Sequence, residues 1–417
     1  MQKTSPRRTG LRIGIIIDDF YPSSGGLARS VQVQIEALVR QGHCVTLFAP
    51  DYHFTPDPNC TNVRVPHWRI PGDISHLCTL VSTEKIAREL CSQYPLDVVH
   101  SQTERGGLLL AARIARLQGI PHVHTFHANL AGTYHSLPIL STLTCLTFNL
   151  IMPPLLRRAA QKPPRDHIRT PEPTDNAREW VPRRHWRLFG QITSYVDAFT
   201  APSQFMVQAI KTTGTSTTSA VIPTGISPAI QGHIANAKRE RSTSLRFISV
   251  GRLSPEKRCD VIIRAFAKAD IAGSELILVG SGPEKARLRQ LAHRFAPGRV
   301  TVTGHVDSQA RIASYLVNAD AFVLASHRFD SQGIVVVEAV AAGLPVLYCD
   351  DQLDTGLTPE SALLTEPDVD SLAVGMRRLA DTRLRRRMSQ AAAKLIPELS
   401  VDTMNARYVA LYRQLRK

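Results

Sequence analysis

Two carboxylates stand eight positions apart, Asp330 and Glu338, in the stretch HRFDSQGIVVVEAVAAGLPVLYCD. Glu338 falls in a run of valine and alanine, where an ionised group is costly unless it is paired. A carboxylate accepting two sugar hydroxyls would be satisfied there; pointing to solvent and internal pairing are the alternatives. Read as loop, helix and strand, the stretch starts its helix at Gly333, ends it at Gly343 and opens a strand at Pro345. Asp330 then precedes the helix as either a cap or a ligand group. The amides of Ser331, Gln332, Gly333 and Ile334 lie at the positive helix end, which suits a phosphate.

A second cluster lies in SVGRLSPEKRCDVIIRAF, where a glycine ends a strand and Arg252 and Lys257 follow on the loop. Two cations at the carboxyl end of a parallel strand face the crevice where doubly wound sheets bind ligands, and they could neutralise a departing diphosphate. Solvated surface is the plainer reading of isolated basic residues. In DDFYPSSGGLARS, Gly25 and Gly26 precede a helix and would let the backbone approach a ligand closely. This is neither a P-loop nor a dinucleotide fingerprint, and LVGSGPEKARL lacks the third glycine of the latter. HVHTFHANL ends a strand near His127 and DVVHSQTERGG ends another near Glu104, so both face the same kind of crevice unless they are merely satisfied polar groups.

The elements that must hold these residues repeat as strand then helix, from LRIGIIIDDF onward and again from LRFISVGRL. That alternation predicts α/β architecture with two Rossmann-like doubly wound parallel sheets. A length of 417 residues predicts two domains. We place the boundary just after Ser203: an N-terminal domain over 1–203, a C-terminal domain over 204–395, and a helix over 396–417 returning to the first domain. An insertion, 137–187, interrupts the first domain. Its first part, LPILSTLTCLTFNLIMPPLL, is uncharged, but its prolines and hydroxyl residues favour interfacial or buried structure over a membrane span. Its second part, Arg157–Arg187, reads as a poorly ordered basic loop.

A formal charge of +15 points to an anionic partner. Nucleic acid is set aside, because no RNA-binding or helix-turn-helix signature is present and aromatic content is 6%. Seven scattered cysteines without a C-x-x-C pair argue against a disulfide framework or zinc site and predict a cytoplasmic setting.

Four motifs in order, SSGGLARSV, HTFHA, VGRLSPEKRCDVIIRAF and FDSQGIVVVEAVAAGLPV, resemble those of the family 4 retaining glycosyltransferases, which share the two-domain GT-B fold facing a central cleft. Only Leu137–Trp186 has no counterpart in that pattern. The resemblance implies that Gly25 and Gly26 approach the donor diphosphate, that Arg252 and Lys257 bind it, and that Glu338 takes the ribose hydroxyls. It places Asp330 and the amides of Ser331, Gln332, Gly333 and Ile334 at the transferred sugar, beside His127, and makes Glu104 and His127 acceptor-binding. His127, Arg252, Lys257 and Asp330 are the implied catalytic set. No metal and no cofactor is implied beyond the nucleoside diphosphate sugar as co-substrate. The family usually has glutamate where this chain has Asp330, one methylene shorter, which bears on the donor sugar.

TERGGLLLAARIARLQGIPHVHTFHANLAGTYH is similar to the lipid-glycosylating members, including diacylglycerol and phosphoinositide glycosyltransferases. The expected partners are therefore a nucleotide sugar, a lipid acceptor and an anionic membrane surface. The expected location is cytoplasmic, peripheral on the inner face of the cell membrane. A soluble acceptor, such as a sugar phosphate or glucan, and a catalytically degenerate binding protein are the competing readings.

Overall fold

The computed structural model describes residues 10–19, 26–50, 59–69, 78–172, 180–240, 244–306 and 308–416. The chain forms two compact units, Met1–Thr224 with Met404–Lys417, and Gly225–Thr403.

The strands of the first unit are β1 (Arg12–Ile16), β2 (Cys44–Pro50), β3 (Thr61–Val65), β4 (His67–Arg69), β5 (Cys78–Leu80), β6 (Val98–Ser101), β7 (His122–Thr125), β8 (Ala198–Ala201) and β9 (Thr218–Val221). Its helices are α1 (Gly26–Arg40), α2 (Glu84–Gln93), α3 (Gly106–Gln118), α4 (Thr133–Ser136), α5 (Pro138–Ala160), α6 (Trp180–Thr193) and α7 (Gln204–Lys211). Seven strands run parallel in the order β3-β2-β1-β6-β7-β8-β9, and β4 pairs antiparallel with β5 alongside. Every residue of β6, β7 and β8 is buried, as expected where helices cover both faces of a parallel sheet. Strand order reverses between β1 and β6, and ligands bind at such switch points in doubly wound sheets.

The second unit contains β10 (Leu245–Val250), β11 (Ser274–Val279), β12 (Val300–Val302), β13 (Ala321–Leu324), β14 (Val346–Tyr348) and β15 (Ala362–Leu364). Its helices are α8 (Pro228–Asn236), α9 (Cys259–Ala269), α10 (Lys285–Phe295), α11 (Gln309–Val317), α12 (Ile334–Ala341), α13 (Val369–Arg378) and α14 (Thr382–Ala393). The parallel order β12-β11-β10-β13-β14-β15 reverses between β10 and β13. The last helix, α15 (Val401–Leu415), begins in the second unit, and its residues from Met404 belong to the first.

Three expectations need correction. The boundary is not at Ser203: α7 and β9 follow it, and β9 pairs along its length with β8, so the first unit continues to Thr224. The return to the first unit comes at Met404 rather than at 396. The stretch Arg157–Arg187 is not a loose loop. Arg157–Ala160 complete α5, and α6 starts at Trp180 with its Trp186, Leu188, Phe189 and Ile192 in the core. Between them, the Arg165 amide donates to Ser194 and the Arg169 amide to Thr213, while Asp166 accepts from the Ser216 amide and hydroxyl. Proline count hid an amphipathic helix whose Arg183, Arg184 and Arg187 are half-buried. The expectation for residues 173–179 lies outside the described residues.

Candidate functional site

In the second unit the switch point gathers the acidic and basic motifs read from the sequence. Arg252 follows β10, and Lys257 closes the 3₁₀ turn Pro255–Lys257 before α9. Asp330 lies between β13 and α12. Lys257 Nζ donates to Asp330 Oδ1 at 2.5 Å, and Ser326 Oγ donates to Oδ2 at 2.5 Å. Both partners of the ion pair are largely shielded, at 19% and 12% side-chain exposure. Lys257 also sits 5.4 Å from the centre of the Phe329 ring. Arg252 remains 65% exposed and donates to Glu256 at 2.6 Å, whose same oxygen accepts from Ser254. Burial opposes Glu256 ionisation, but hydrogen bonds from Ser254, its own amide and Arg252 hold its pKa below the ordinary value.

The cap reading of Asp330 does not hold. The residue at the start of α12 is Gly333, in the left-handed region at φ 71°, with no side chain capping the helix. A side chain there would be strained, which accounts for glycine. Gln332 is buried at 2% exposure and is not without a partner. Ser331, Gly333 and Ile334 are half-buried. Glu338 is 4% exposed among buried Val336, Val337, Ala339 and Val340, and it too has a partner. Pointing into solvent is thereby excluded for it.

Asp350, one residue beyond the end of the β14–Cys349 segment, escaped the sequence reading although strand-end position marks it. Its carboxylate accepts from the Arg328 amide at 2.6 Å and the Gln352 amide at 3.1 Å, so it pins the loop that carries Asp330. Arg328 adopts the left-handed region at φ 55°, strain that the Asp350 contact holds in place. Burial pushes the Asp350 pKa up to about 6. A folded-state pKa above the unfolded one means that stability falls as pH rises from about 4 to about 6. At about 1.4 kcal/mol per pH unit the effect is on the order of 3 kcal/mol. Asp350→Asn, which carries no titrating group, should therefore gain roughly 2 kcal/mol of stability relative to the parent protein between pH 4.5 and pH 7, as read by urea unfolding of the second unit; a difference that does not change with pH would refute this.

The weak G-x-G of LVGSGPEKARL serves packing. A Cβ on Gly280 would lie 1.8 Å from the Gly251 carbonyl oxygen, so the glycine lets the loop after β11 press against the loop that carries Arg252.

In the first unit, His127 lies two residues beyond β7 and Glu104 three beyond β6. His127 Nε2 bonds Gln102 Oε1 at 2.6 Å, which makes Nε2 the protonated nitrogen and Nδ1 an acceptor. Gln102 donates to Gln34, and Gln34 to the Tyr412 hydroxyl of α15. Tyr412 meets His100 Nδ1 at 2.7 Å, and His100 Nε2 meets Thr125 at 2.7 Å. A buried polar chain thus runs from His127 to α15, and sequence spacing gave no sign of it because its members come from α1, α15 and the carboxyl ends of β6 and β7. Burial lowers the His127 pKa to about 4, so the imidazole is neutral near pH 7. Burial raises Glu104 to about 7, and its Oε1 lies 3.9 Å from His124 Nε2. A carboxyl that titrates near neutrality can give or take a proton from a hydroxyl. Gly26 opens α1; Gly25 lies outside the described residues.

All seven cysteines are free. Among the described residues no group of three or more His, Cys, Asp or Glu is placed to hold a metal ion.

Residues 24–230 match the family model Glycosyltransferase Family 4, and residues 232–395 match Glycosyl transferases group 1. The chain is 26% identical to the alpha-monoglucosyldiacylglycerol synthase of Streptococcus pneumoniae, over 81% of this chain and 70% of that one. It is 27% identical to the alpha-monoglucosyldiacylglycerol synthase of Acholeplasma laidlawii, over 82% of each. A GDP-mannose-dependent alpha-mannosyltransferase of Mycobacterium tuberculosis is 25% identical over 82% of this chain and 79% of its own length. Among solved structures, sucrose-phosphate synthase from Thermosynechococcus elongatus aligns at TM-score 0.66 and 19% identity, covering 97% and 99% of the two chains. The Anabaena protein HepE in complex with UDP and glucose aligns at 0.64 and 17%, covering 97% and 100%.

Proposed function

Because the chain belongs to the family 4 glycosyltransferases and has their GT-B fold, we infer that it moves a hexose, glucose or mannose, from a nucleoside diphosphate sugar to a membrane lipid. Diacylglycerol or a phosphoinositide is the acceptor this reading favours, with retention at the anomeric carbon. The placement of Arg252, Lys257 and Asp330 after β10 and β13, with Lys257 paired to Asp330 and Glu338 buried in the α12 that follows, supports the donor half of the reading. The two relatives named for glucosyldiacylglycerol synthesis support the acceptor half.

Arg252 and Lys257 would hold the diphosphate and neutralise it as the bond to the anomeric carbon breaks. Glu338 would take the ribose hydroxyls. Asp330, held by Lys257 and Ser326, would meet the sugar together with the amides of Ser331, Gln332, Gly333 and Ile334. In a front-face route the acceptor hydroxyl attacks on the side the diphosphate leaves, and its proton passes to the departing phosphate oxygen. His127, neutral and with Nδ1 as acceptor, would orient a sugar hydroxyl. Glu104 would bind the acceptor hydroxyl, and Gly25 and Gly26 would give the donor diphosphate close backbone contact. Charge neutralisation by side chains makes this a metal-independent route. The expected setting is the cytoplasmic face of the membrane, peripherally bound.

A donor screen by nucleotide release tests the assignment, with UDP-glucose and GDP-mannose offered with and without diacylglycerol or phosphatidylinositol in detergent. Lipid-dependent release from one donor is expected. Release that responds to a soluble sugar phosphate and not to lipid would overturn the acceptor. Glu338→Ala should raise the donor KM about tenfold or more, a loss of roughly 1.4 kcal/mol or more from a charged hydrogen bond.

A further inference from the structure

Helix α5 is turned inside out relative to an ordinary surface helix. Ile139, Leu143, Leu146 and Leu150 recur at intervals of three or four and are 86%, 59%, 50% and 76% exposed. Its buried side carries the polar groups. Ser141 meets His185 Nε2 at 3.2 Å, Cys145 Sγ donates to the Val181 carbonyl, and Asn149 donates to the Arg184 carbonyl, all three partners on α6. Met152, Leu156 and Ala159 then anchor its far end in the core with Leu108 and Ala112 of α3. A soluble surface helix normally places these classes the other way round.

Charge says what covers the outer face. The leucine stripe runs into Arg157 and Arg158, both exposed, and these two close a concavity of about 640 Å³ whose other walls are Leu150, Ile151, Pro154 and Leu155. Trp180, 46% exposed, lies beside α5 on α6, with the Arg184 guanidinium 4.9 Å from its ring centre. Apolar surface edged by arginine and tryptophan matches the boundary between acyl chains and anionic headgroups.

We propose that the outward face of α5 is the membrane-docking surface, lying in the plane of an anionic bilayer with its leucines among the acyl chains and Arg157 and Arg158 on lipid phosphate. Length and composition alone would let α5 cross a bilayer. Two features hold it flat. Spanning would strip its inner polar contacts from α6. It would also put the Asn149 and Leu150 carbonyls in hydrocarbon, where Pro153 and Pro154 have no N–H to give them. The inference takes its purpose from the proposed lipid acceptor, while its geometry rests on α5.

The test is cosedimentation of the full chain with vesicles of phosphatidylcholine alone or mixed with phosphatidylglycerol, with detergent-based transfer measured in parallel. The parent protein should bind the anionic vesicles and come off in alkaline carbonate. Leu143→Gln/Leu146→Gln/Leu150→Gln changes exposed side chains, so it should keep its melting temperature and its transfer in detergent, yet lose vesicle affinity by about a hundredfold or more. Arg157→Glu/Arg158→Glu should remove the preference for anionic lipid. Unchanged vesicle binding by the triple variant overturns the surface, and resistance to alkaline carbonate overturns the flat orientation. A dimer of the parent protein that the triple variant abolishes would assign the face to a second copy instead. Vesicle binding through α5 with transfer only to soluble acceptors would sink the lipid acceptor and leave the docking surface standing.

Discussion

Arg252→Ala is expected to lower kcat by about 10²–10³-fold with only a small fall in melting temperature. The size follows from removing one preorganised group that stabilises developing negative charge, roughly 3–4 kcal/mol. The loss of stability should be small: Arg252 is 65% exposed, and its buried partner Glu256 keeps the Ser254 hydroxyl as a donor when the guanidinium is removed. Lys257→Ala should lose at least as much activity, but it cannot be read alone. It leaves the Asp330 carboxylate shielded with the Ser326 hydroxyl as a donor and no cation beside it, and an uncompensated shielded charge is strongly destabilising. The double variant Lys257→Ala/Asp330→Ala removes that orphan and should regain stability without regaining turnover. Single-turnover kinetics with saturating donor, alongside thermal melts, separates the two effects. Parent-like turnover in Arg252→Ala and in the double variant would end the assignment of the diphosphate site.

Acidification should unfold the first unit well before ordinary acid denaturation. Burial depresses the pKa of His122 to about 3, of His127 and His185 to about 4, and of His100 and His124 well below the ordinary value. These five imidazoles stay neutral in the folded chain. Below pH 6.5 the unfolded chain takes up protons that the folded chain cannot, so stability is lost as pH falls. Glu104 and Asp18 work the other way, since burial raises both and the folded chain keeps those protons. A net difference of about three protons gives a slope of roughly 4 kcal/mol per pH unit, set against a total of about 5–15 kcal/mol for a domain. The melting temperature of the first unit should then drop by roughly 10 °C per pH unit between pH 6 and pH 4.5. Circular dichroism melts across that range provide the check. A flat melting temperature there would mean that the histidines are not held neutral, and His127 would lose its role as an uncharged hydrogen-bonding group.

The fold was legible because parallel sheets enclosed by helices write themselves as short apolar runs between turn residues, and both halves begin with such a run. The positions of Arg252, Lys257 and Asp330 in the segments after β10 and β13 were legible for the same reason: in such sheets ligands bind outside the carboxyl ends of the strands. What the residue order could not carry was pairing. Asp330 could have been a cap, and its contact with Lys257 joins residues 73 apart. The polar chain from His127 through Gln102 and Gln34 to Tyr412 joins elements separated by most of the chain. The domain boundary was misplaced because β9, TSAV, is short and half-buried, too weak a pattern to claim its place beside β8.

By itself the sequence determined the alternation of strand and helix, hence two doubly wound sheets, and the motifs that stand at their functional edges. These are local properties, set by hydrophobic period and turn chemistry. Tertiary structure alone decided which charges neutralise one another, which histidines are kept from protons, and which side of α5 meets the core. Those outcomes depend on desolvation and on contacts across long sequence separation, and no period in the chain encodes them. The inverted helix shows the difference plainly: its composition allowed a buried, spanning or interfacial role, and the partners supplied by α3 and α6 chose which face was left outside.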